Sequence, residues 1–352
     1  MTSKERINLA LSHKVPDMIP IHDTVWKTTE DRWHREGLPE HAAASEFFNY
    51  EIVEIRYDKS FQFKEEIVEE AEEYVIIKNR NGALKKDWKN AISTPEMIDF
   101  AIKTKDDWFK YKGRLTVNKA RLVLDFQDKI YRAGSEKEKF ICFTSGMGYD
   151  HTQQIIGSEK LLIKLVEDPE WVYDMFMTYA DLIIQGVQMF NQQGYEFDGA
   201  FLFDDMGYRN TTLFSPKTYK EVLMPAHKKV VDFFKSKNMP VILHSCGCVK
   251  DFIPFFIELR IDCLQPLEVK AGMDLIELKR QYGKEIAFMG GIDVRKMSSD
   301  DPDEIEMEIK NKFEVAKQGG GYIYHSDHSI PDNVSFEQYK RVIHLVKKYG
   351  KY

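Results

Sequence analysis

Short apolar runs alternate with helical patterns through most of this chain, and that rhythm restricts its fold more than any other feature. Runs rich in β-branched and aromatic residues lie at 140–144, 199–203, 241–246, 263–265, 286–289 and 322–324. Each is followed by a stretch with helical periodicity. Ser215-Pro216 marks one helix start, with proline at the first helical position, and Gly283 and Gly319-Gly320-Gly321 mark helix ends. Two earlier runs, 18–21 and 52–57, bring the number of expected strands to eight. Parallel strands need crossover helices, so this alternation predicts an α/β protein with a parallel sheet. Eight units predict a closed (β/α)8 TIM barrel, with an open doubly wound sheet as the alternative. No Gly-x-Gly-x-x-Gly follows an early strand, which argues against a dinucleotide-binding fold.

The remaining segments decorate this frame. Residues 4–12 and 26–36 read as N-terminal helices, and 42–48 as a helical turn or two. Residues 61–90 differ: 63–69, 74–78 and 83–88 read as antiparallel strands, with Asn81-Gly82 as a hairpin signal. This predicts a small β excursion outside the main sheet. Helical patterns are expected from Thr94 to about Arg132, with Thr94-Pro95-Glu96 as the start. All 352 residues are expected to form one barrel domain.

Composition excludes several classes. A net charge of −7 argues against general nucleic-acid binding. The first six residues lead into no apolar signal region, and no run reaches membrane-spanning length. Four cysteines in a chain of this length do not suggest a disulfide framework, so a reducing cytoplasm is the expected location.

In a barrel of this kind, chemistry collects at the C-terminal ends of the strands. Those ends here carry His22, Asp23, Asp58, Thr144, Ser145, Asp204, Asp205, His244, Cys246, Gln265, Asp293, His325, Asp327 and His328. His244, Cys246 and Cys248 share one face if their strand persists. Imidazole and thiolate are zinc ligands, and a catalytic zinc takes three protein ligands and keeps one position open. His328 is the expected third ligand, with Cys248, His325 and Asp327 as competitors. Asp204 and Asp205 point to opposite faces if their strand continues, and parity alone does not say which is inward. Trp26, Trp33, Tyr149, His151 and Tyr208 are candidates for an aromatic substrate pocket.

Several segments together resemble the uroporphyrinogen decarboxylase superfamily, and within it the zinc- and cobalamin-dependent methyltransferases. They are the 6–13 helix with Pro16-Asp17, Asp204-Asp205-Met206-Gly207-Tyr208, Ser215-Pro216 with Tyr219, and Met224-Pro225. His244-Ser245-Cys246-Gly247, Leu264-Gln265-Pro266-Leu267-Glu268, Gly290-Gly291-Ile292-Asp293, Gly320-Gly321-Tyr322-Ile323 and His328 before Pro331 complete the set. The resemblance spans nearly the whole chain. It implies a (β/α)8 barrel that binds zinc through His244, Cys246 and a later residue. That family position holds Cys, and His328 aligns with it here. The arginine-rich segment of the decarboxylases is not reproduced in 26–35, which ranks decarboxylation below methyl transfer.

The resemblance therefore implies a methyltransferase that moves a methyl group from an O-methyl or related donor to a cobalt(I) corrinoid. The corrinoid is expected on a partner protein, because the barrel uses the whole chain. Asp205, or failing that Asp204, is the expected exchangeable fourth ligand or proton donor. Alternatives are transfer from a methyl-corrinoid to a thiol, a decarboxylase, and a non-catalytic zinc- or tetrapyrrole-binding barrel. A homodimer is compatible with the sequence.

Overall fold

The structure is a computed structural model and describes residues 1–89 and 95–352. Eleven strands form two sheets. The larger contains β1 (Ile52–Arg56), β6 (Phe140–Gly146), β7 (Gly199–Phe203), β8 (Val241–His244), β9 (Cys263–Gln265), β10 (Ala287–Met289) and β11 (Tyr322–Ile323). These seven strands are parallel and adjacent in that order. Helices occupy the connections, so the protein is an α/β protein with a parallel sheet.

The expected strand at 18–21 is reduced to a bridge. His22 N–H donates to Tyr324 O at 3.1 Å and Tyr324 N–H to Pro20 O at 2.9 Å. On the other side, Glu51 N–H donates to Ile21 O at 2.9 Å. Residues 20–22 thus hydrogen-bond to the segments at both edges of the seven-stranded sheet. Pro16 and Pro20 lack donors, which prevents a regular ladder here. A side chain completes the pairing: the Glu51 carboxylate accepts from Ile21 N at 2.8 Å and from Arg6 Nη1 at 2.5 Å. Arg6 also binds Asp17 through Nε at 2.7 Å and Nη2 at 2.9 Å.

Strand alternation divides the apolar residues into two cores. One face of the parallel sheet presents Ile52, Phe140, Cys142, Phe201, Ile242, Cys263, Ala287, Met289 and Ile323. These pack with Ile7, Ala10 and Leu11 of the Ser3–Leu11 helix, which plugs that face. The opposite parity, such as Ala200, Leu202, Val241 and Leu243, joins the larger core beneath the outer helices. Phe201 and Phe203 therefore share the face of the N-terminal plug, whereas Ala200 and Leu202 do not.

The β excursion is a four-stranded antiparallel sheet of β2 (Glu66–Glu70), β3 (Tyr74–Lys78), β4 (Leu84–Trp88) and β5 (Glu96–Asp99). Its last strand corrects the helix expected to begin at Thr94. Residues 96–99 pair with β4, and helix begins only at the Lys105–Tyr111 segment. Thr94 itself lies outside the described residues.

The Glu51 contact is buried, which makes a test of the reduced first strand. Glu51→Ala leaves Ile21 N–H without its acceptor and Arg6 with Asp17 as its remaining carboxylate, and should cost about 1–3 kcal/mol in urea unfolding. Glu51→Gln keeps one acceptor for the amide and should cost less than half as much. Equal losses would remove the Ile21 hydrogen bond from the explanation.

Candidate metal centre at the strand ends

The loops after β7 and β8 cross in backbone contact. Gly207 N–H donates to Cys246 O at 3.2 Å and Cys248 N–H to Tyr208 O at 2.7 Å. A Cβ on Gly207 would sit 2.4 Å from Cys246 O, and one on Gly247 would sit 2.4 Å from the Gly207 carbonyl carbon. Gly247 also has φ +76°, a conformation that glycine adopts without penalty. The crossing carries Asp205 onto the next loop: its Oδ1 accepts from Cys246 N–H at 2.8 Å. That same oxygen lies 3.2 Å from His244 Nε2, and Cys246 Sγ lies 3.3 Å from the same nitrogen.

Asp205, His244 and Cys246 thus bring one oxygen, one nitrogen and one sulfur within 4.8 Å of one another. Such a mixed set suits zinc, with room for a further ligand. Gln265 prepares the imidazole, because its Oε1 accepts a hydrogen bond from His244 Nδ1. This leaves Nε2 as the lone-pair nitrogen facing the other two donors. Gln265 Nε2 lies 3.3 Å from His325 Nε2, while His325 Nδ1 donates to Ser326 O at 2.7 Å.

The three side chains are electrostatically interdependent. Burial pushes the His244 imidazole down, but the Cys246 sulfur and the Asp205 carboxylate hold it well above its ordinary value. Burial raises the Cys246 thiol against the pull of His244. Burial also works against the Asp205 carboxylate, and His244 and the Cys246 amide outweigh it, so Asp205 lies below the usual carboxylate range.

The adjacent acid has a different task. Asp204 is fully buried on the other parity. Its Oδ1 accepts from Asp150 N at 2.7 Å and its Oδ2 from Tyr149 N at 3.2 Å. It thereby satisfies the start of the Gly148–Ile156 helix, whose own N-cap residue, Met147, makes no side-chain cap. Asp204 Oδ2 also lies 2.7 Å from His227 Nε2, and His227 Nδ1 lies 3.0 Å from Tyr219 Oη.

Two spaces meet at Cys246. A cavity of about 90 Å³ is lined by His244, Cys246, Gln265, His325 and His328 together with Glu54, Arg56 and Phe203. A larger, open cleft of about 570 Å³ is lined by Tyr208, Arg209, Cys246, Gly247, Glu268 and Lys270. His328 therefore lines the same cavity as His244 and Cys246, outside the three-atom group. Its competitors have other partners. Asp327 accepts from the amides of Val269 at 3.0 Å and Val294 at 2.9 Å, and Cys248 is buried at the loop crossing.

The aromatic candidates separate. Tyr208 is exposed on the open cleft. Trp26 lies beside His328, ring centroids 6.2 Å apart, at the rim of a neighbouring cleft. Tyr149 is buried against Phe214, and His151 is buried against Tyr179 with Nε2 unpartnered among the described residues. Trp33 is a correction. It is fully buried, stacks on Tyr339 and donates to Val334 O at 2.9 Å, so it belongs to the core and lines no part of this site.

Sequence reading missed Glu54, Arg56, Asp150 and His227. Glu54 and Arg56 had a signal, because Ile52, Glu54 and Arg56 share one parity and their strand ends where chemistry was expected. Asp150 Oδ1 accepts from Asp205 N at 3.2 Å. Burial, together with the charges of Asp204 and Asp205, pushes the Asp150 carboxyl up to about 7.

A parallel α/β sheet with polar clusters at its carboxyl ends defines the general class of this protein. The chain belongs to the uroporphyrinogen decarboxylase (URO-D) family, whose model matches residues 129–349. A methylated-thiol–coenzyme M methyltransferase of Methanosarcina mazei is 25% identical over 143 residues. That match covers 40% of this chain and 35% of the relative, so it spans about a third of the relative's length. A uroporphyrinogen decarboxylase of Ruthia magnifica is 21% identical over 243 residues, covering 66% of this chain and 67% of that one. The solved structure of a methyltransferase from Methanosarcina mazei superposes with a TM-score of 0.70 at 16% identity, covering 99% of both chains. No helix among the described residues is long and apolar enough to cross a membrane.

The donor set is testable by metal analysis. Protein stripped by chelator and dialysed against zinc should take up about one ion per chain, as expected for one three- or four-ligand centre. Cys246→Ala and His244→Ala should abolish uptake, and Cys248→Ala should retain it. Equal loss from Cys246→Ala and Cys248→Ala would assign the sulfur wrongly. His328→Ala reports whether that residue supplies a further ligand.

Proposed function

We propose that this chain is a zinc-dependent methyltransferase that moves a methyl group from a small O-methylated or related donor to the corrinoid of a partner protein. The observation that carries the reading is the position of Cys246. It belongs to the donor cluster and lines both the small cavity and the open cleft. A small donor fits the cavity, and a bulky acceptor delivered by another protein has access through the cleft. The scaffold proposed is a (β/α)8 barrel in one domain, with residues 20–22 as its eighth strand.

In this reading His244 and Cys246 hold the metal, with His328 as the further ligand on the cavity wall. The metal supplies Lewis acidity at the leaving atom, and the partner's cobalt(I) supplies the methyl acceptor. Gln265 keeps the His244 ring oriented through Nδ1. Asp205 occupies the exchangeable position when no donor is bound, and on release its carboxyl is placed to deliver or accept a proton. Asp204 holds the helix that carries Tyr149 and Asp150, so it acts through position. Tyr208 stands on the open cleft and Trp26 beside His328 at the neighbouring cleft, where each would contact an incoming group.

A second reading has one observation in its favour. Asp205 and Cys246 both bear negative charge when ligated, so together they cancel a dication. A neutral centre keeps a bound thiolate electron-rich, which favours a thiol as the methyl acceptor. Release of Asp205 returns a positive charge to the centre, which favours the O-methyl donor.

The deciding assay is the spectral change from cobalt(I) to methyl-cobalt(III) corrinoid, with methoxylated aromatics and with methylated thiols. Asp205→Asn should retain zinc yet lose methyl transfer by roughly 10²-fold or more, the range of a positioned acid–base group. Asp204→Asn should lower stability more than it lowers turnover per folded chain. Unchanged turnover in Asp205→Asn would remove this carboxylate from the mechanism.

A further inference from the structure

The cavity that holds the donor cluster also carries an arginine in its lining. Arg56 ends β1, and β6 and β7 separate that strand from β8, which carries His244. Arg56 and Cys246 line the same cavity of about 90 Å³. The guanidinium has one ion-pair partner among the described residues, Glu54 Oε2, at 2.8 Å from Nη2. Its side chain remains 62% exposed, so most of its donors are unused.

Lys59, three residues on, adds a second cation. Its ammonium is within electrostatic reach of Arg56, Asp150, Asp58 and Glu54, and forms no hydrogen bond or ion pair among the described residues. The two nearby aspartates are already engaged. Asp58 Oδ2 pairs with Arg80 at 2.9 Å, and Asp150 Oδ1 accepts from Asp205 N and Gln153 Nε2. Burial and the proximity of Arg56 bring the Lys59 amine down to about 8.

A planar guanidinium with free N–H groups is matched to a carboxylate, which it binds through two parallel hydrogen bonds. We infer that Arg56 anchors the carboxylate of the methyl donor, so that the substrate class is a small methylated carboxylate whose methyl end faces Cys246 and His244. This rests on the methyl-transfer reading for the word donor, but the anion site itself does not. Glu54 fixes the guanidinium through its ion pair, and Lys59 lies within electrostatic reach of Arg56. Both are positioning residues.

The test needs no methyl transfer. Iodoacetate and iodoacetamide alkylate the same thiol and differ in that only iodoacetate bears a carboxylate. Rates of modification at Cys246 are measured on the purified full chain by tandem mass spectrometry, which separates Cys246 from Cys248. Arg56→Gln should lower the iodoacetate-to-iodoacetamide rate ratio by about tenfold or more, the size of one charged hydrogen bond. Arg56→Lys should keep part of the ratio, and Lys59→Gln should lower it by less than Arg56→Gln. An unchanged ratio in Arg56→Gln overturns the inference, as does failure of both reagents to reach Cys246. A loss confined to Lys59→Gln also overturns the assignment to Arg56. Arg56-dependent steering in a chain that transfers no methyl group would instead leave the anion site standing and remove the functional reading.

Discussion

Two backbones passing closer than side chains permit determine what this site can be. Gly207 and Gly247 let the loops after β7 and β8 exchange hydrogen bonds in the space a Cβ would fill. Met206 N–H adds a bond of 3.0 Å to Ser245 Oγ across the same junction. With the loops locked, one carboxylate oxygen of Asp205 meets both the Cys246 amide and the His244 ring. The donor atoms are therefore gathered by the protein's own hydrogen bonds. A metal entering such a cluster needs little reorganisation of the chain.

The same parity that sorts the cores sorts the chemistry. On β7, Phe201 and Phe203 lead to Asp205, and on β8, Ile242 leads to His244 and then Cys246. On β9, Cys263 leads to Gln265, and on β1, Ile52 leads to Glu54 and Arg56. Each series is apolar where the N-terminal helix plugs the sheet and polar at the carboxyl end of the strand. The opposite parity does structural work, which explains why Asp204 caps a helix while its neighbour Asp205 joins the donor cluster.

Much of this was legible from local pattern. Strand–helix alternation located the parallel strands from 140 onward, and His-x-Cys at a strand end located the centre of the site. What escaped depended on contacts distant in sequence. Residues 96–99 read as a helix start, yet they form a strand because β4 offers an edge to pair with. Residues 18–21 read as a strand, yet prolines and the Glu51 carboxylate replace most of a ladder there. Trp33 read as a pocket aromatic, whereas Tyr339, some 300 positions away in sequence, stacks on it in the core. Which of Asp204 and Asp205 faces the centre required the partners of Phe201 and Phe203, which no single strand reveals.

Charge gives the arrangement its remaining logic. On the proposed reading, a dication held by Asp205, Cys246 and neutral His244 has no net charge, and the centre at rest has little attraction for anions. The Arg56 guanidinium then offers an anion its free N–H groups, so on that reading a carboxylate enters toward Arg56 and leaves its methylated end for the metal. Binding at that end would displace Asp205, and the centre would become more positive only with the donor in place. Lewis acidity is thereby coupled to occupancy, since an exposed positive centre would otherwise collect water or a stray anion. His325, linked to His244 through Gln265, keeps the imidazole fixed while the carboxylate exchanges. On that reading the exchangeable ligand would be the one on a loop, and the fixed ligand the one whose second nitrogen is held from the neighbouring strand.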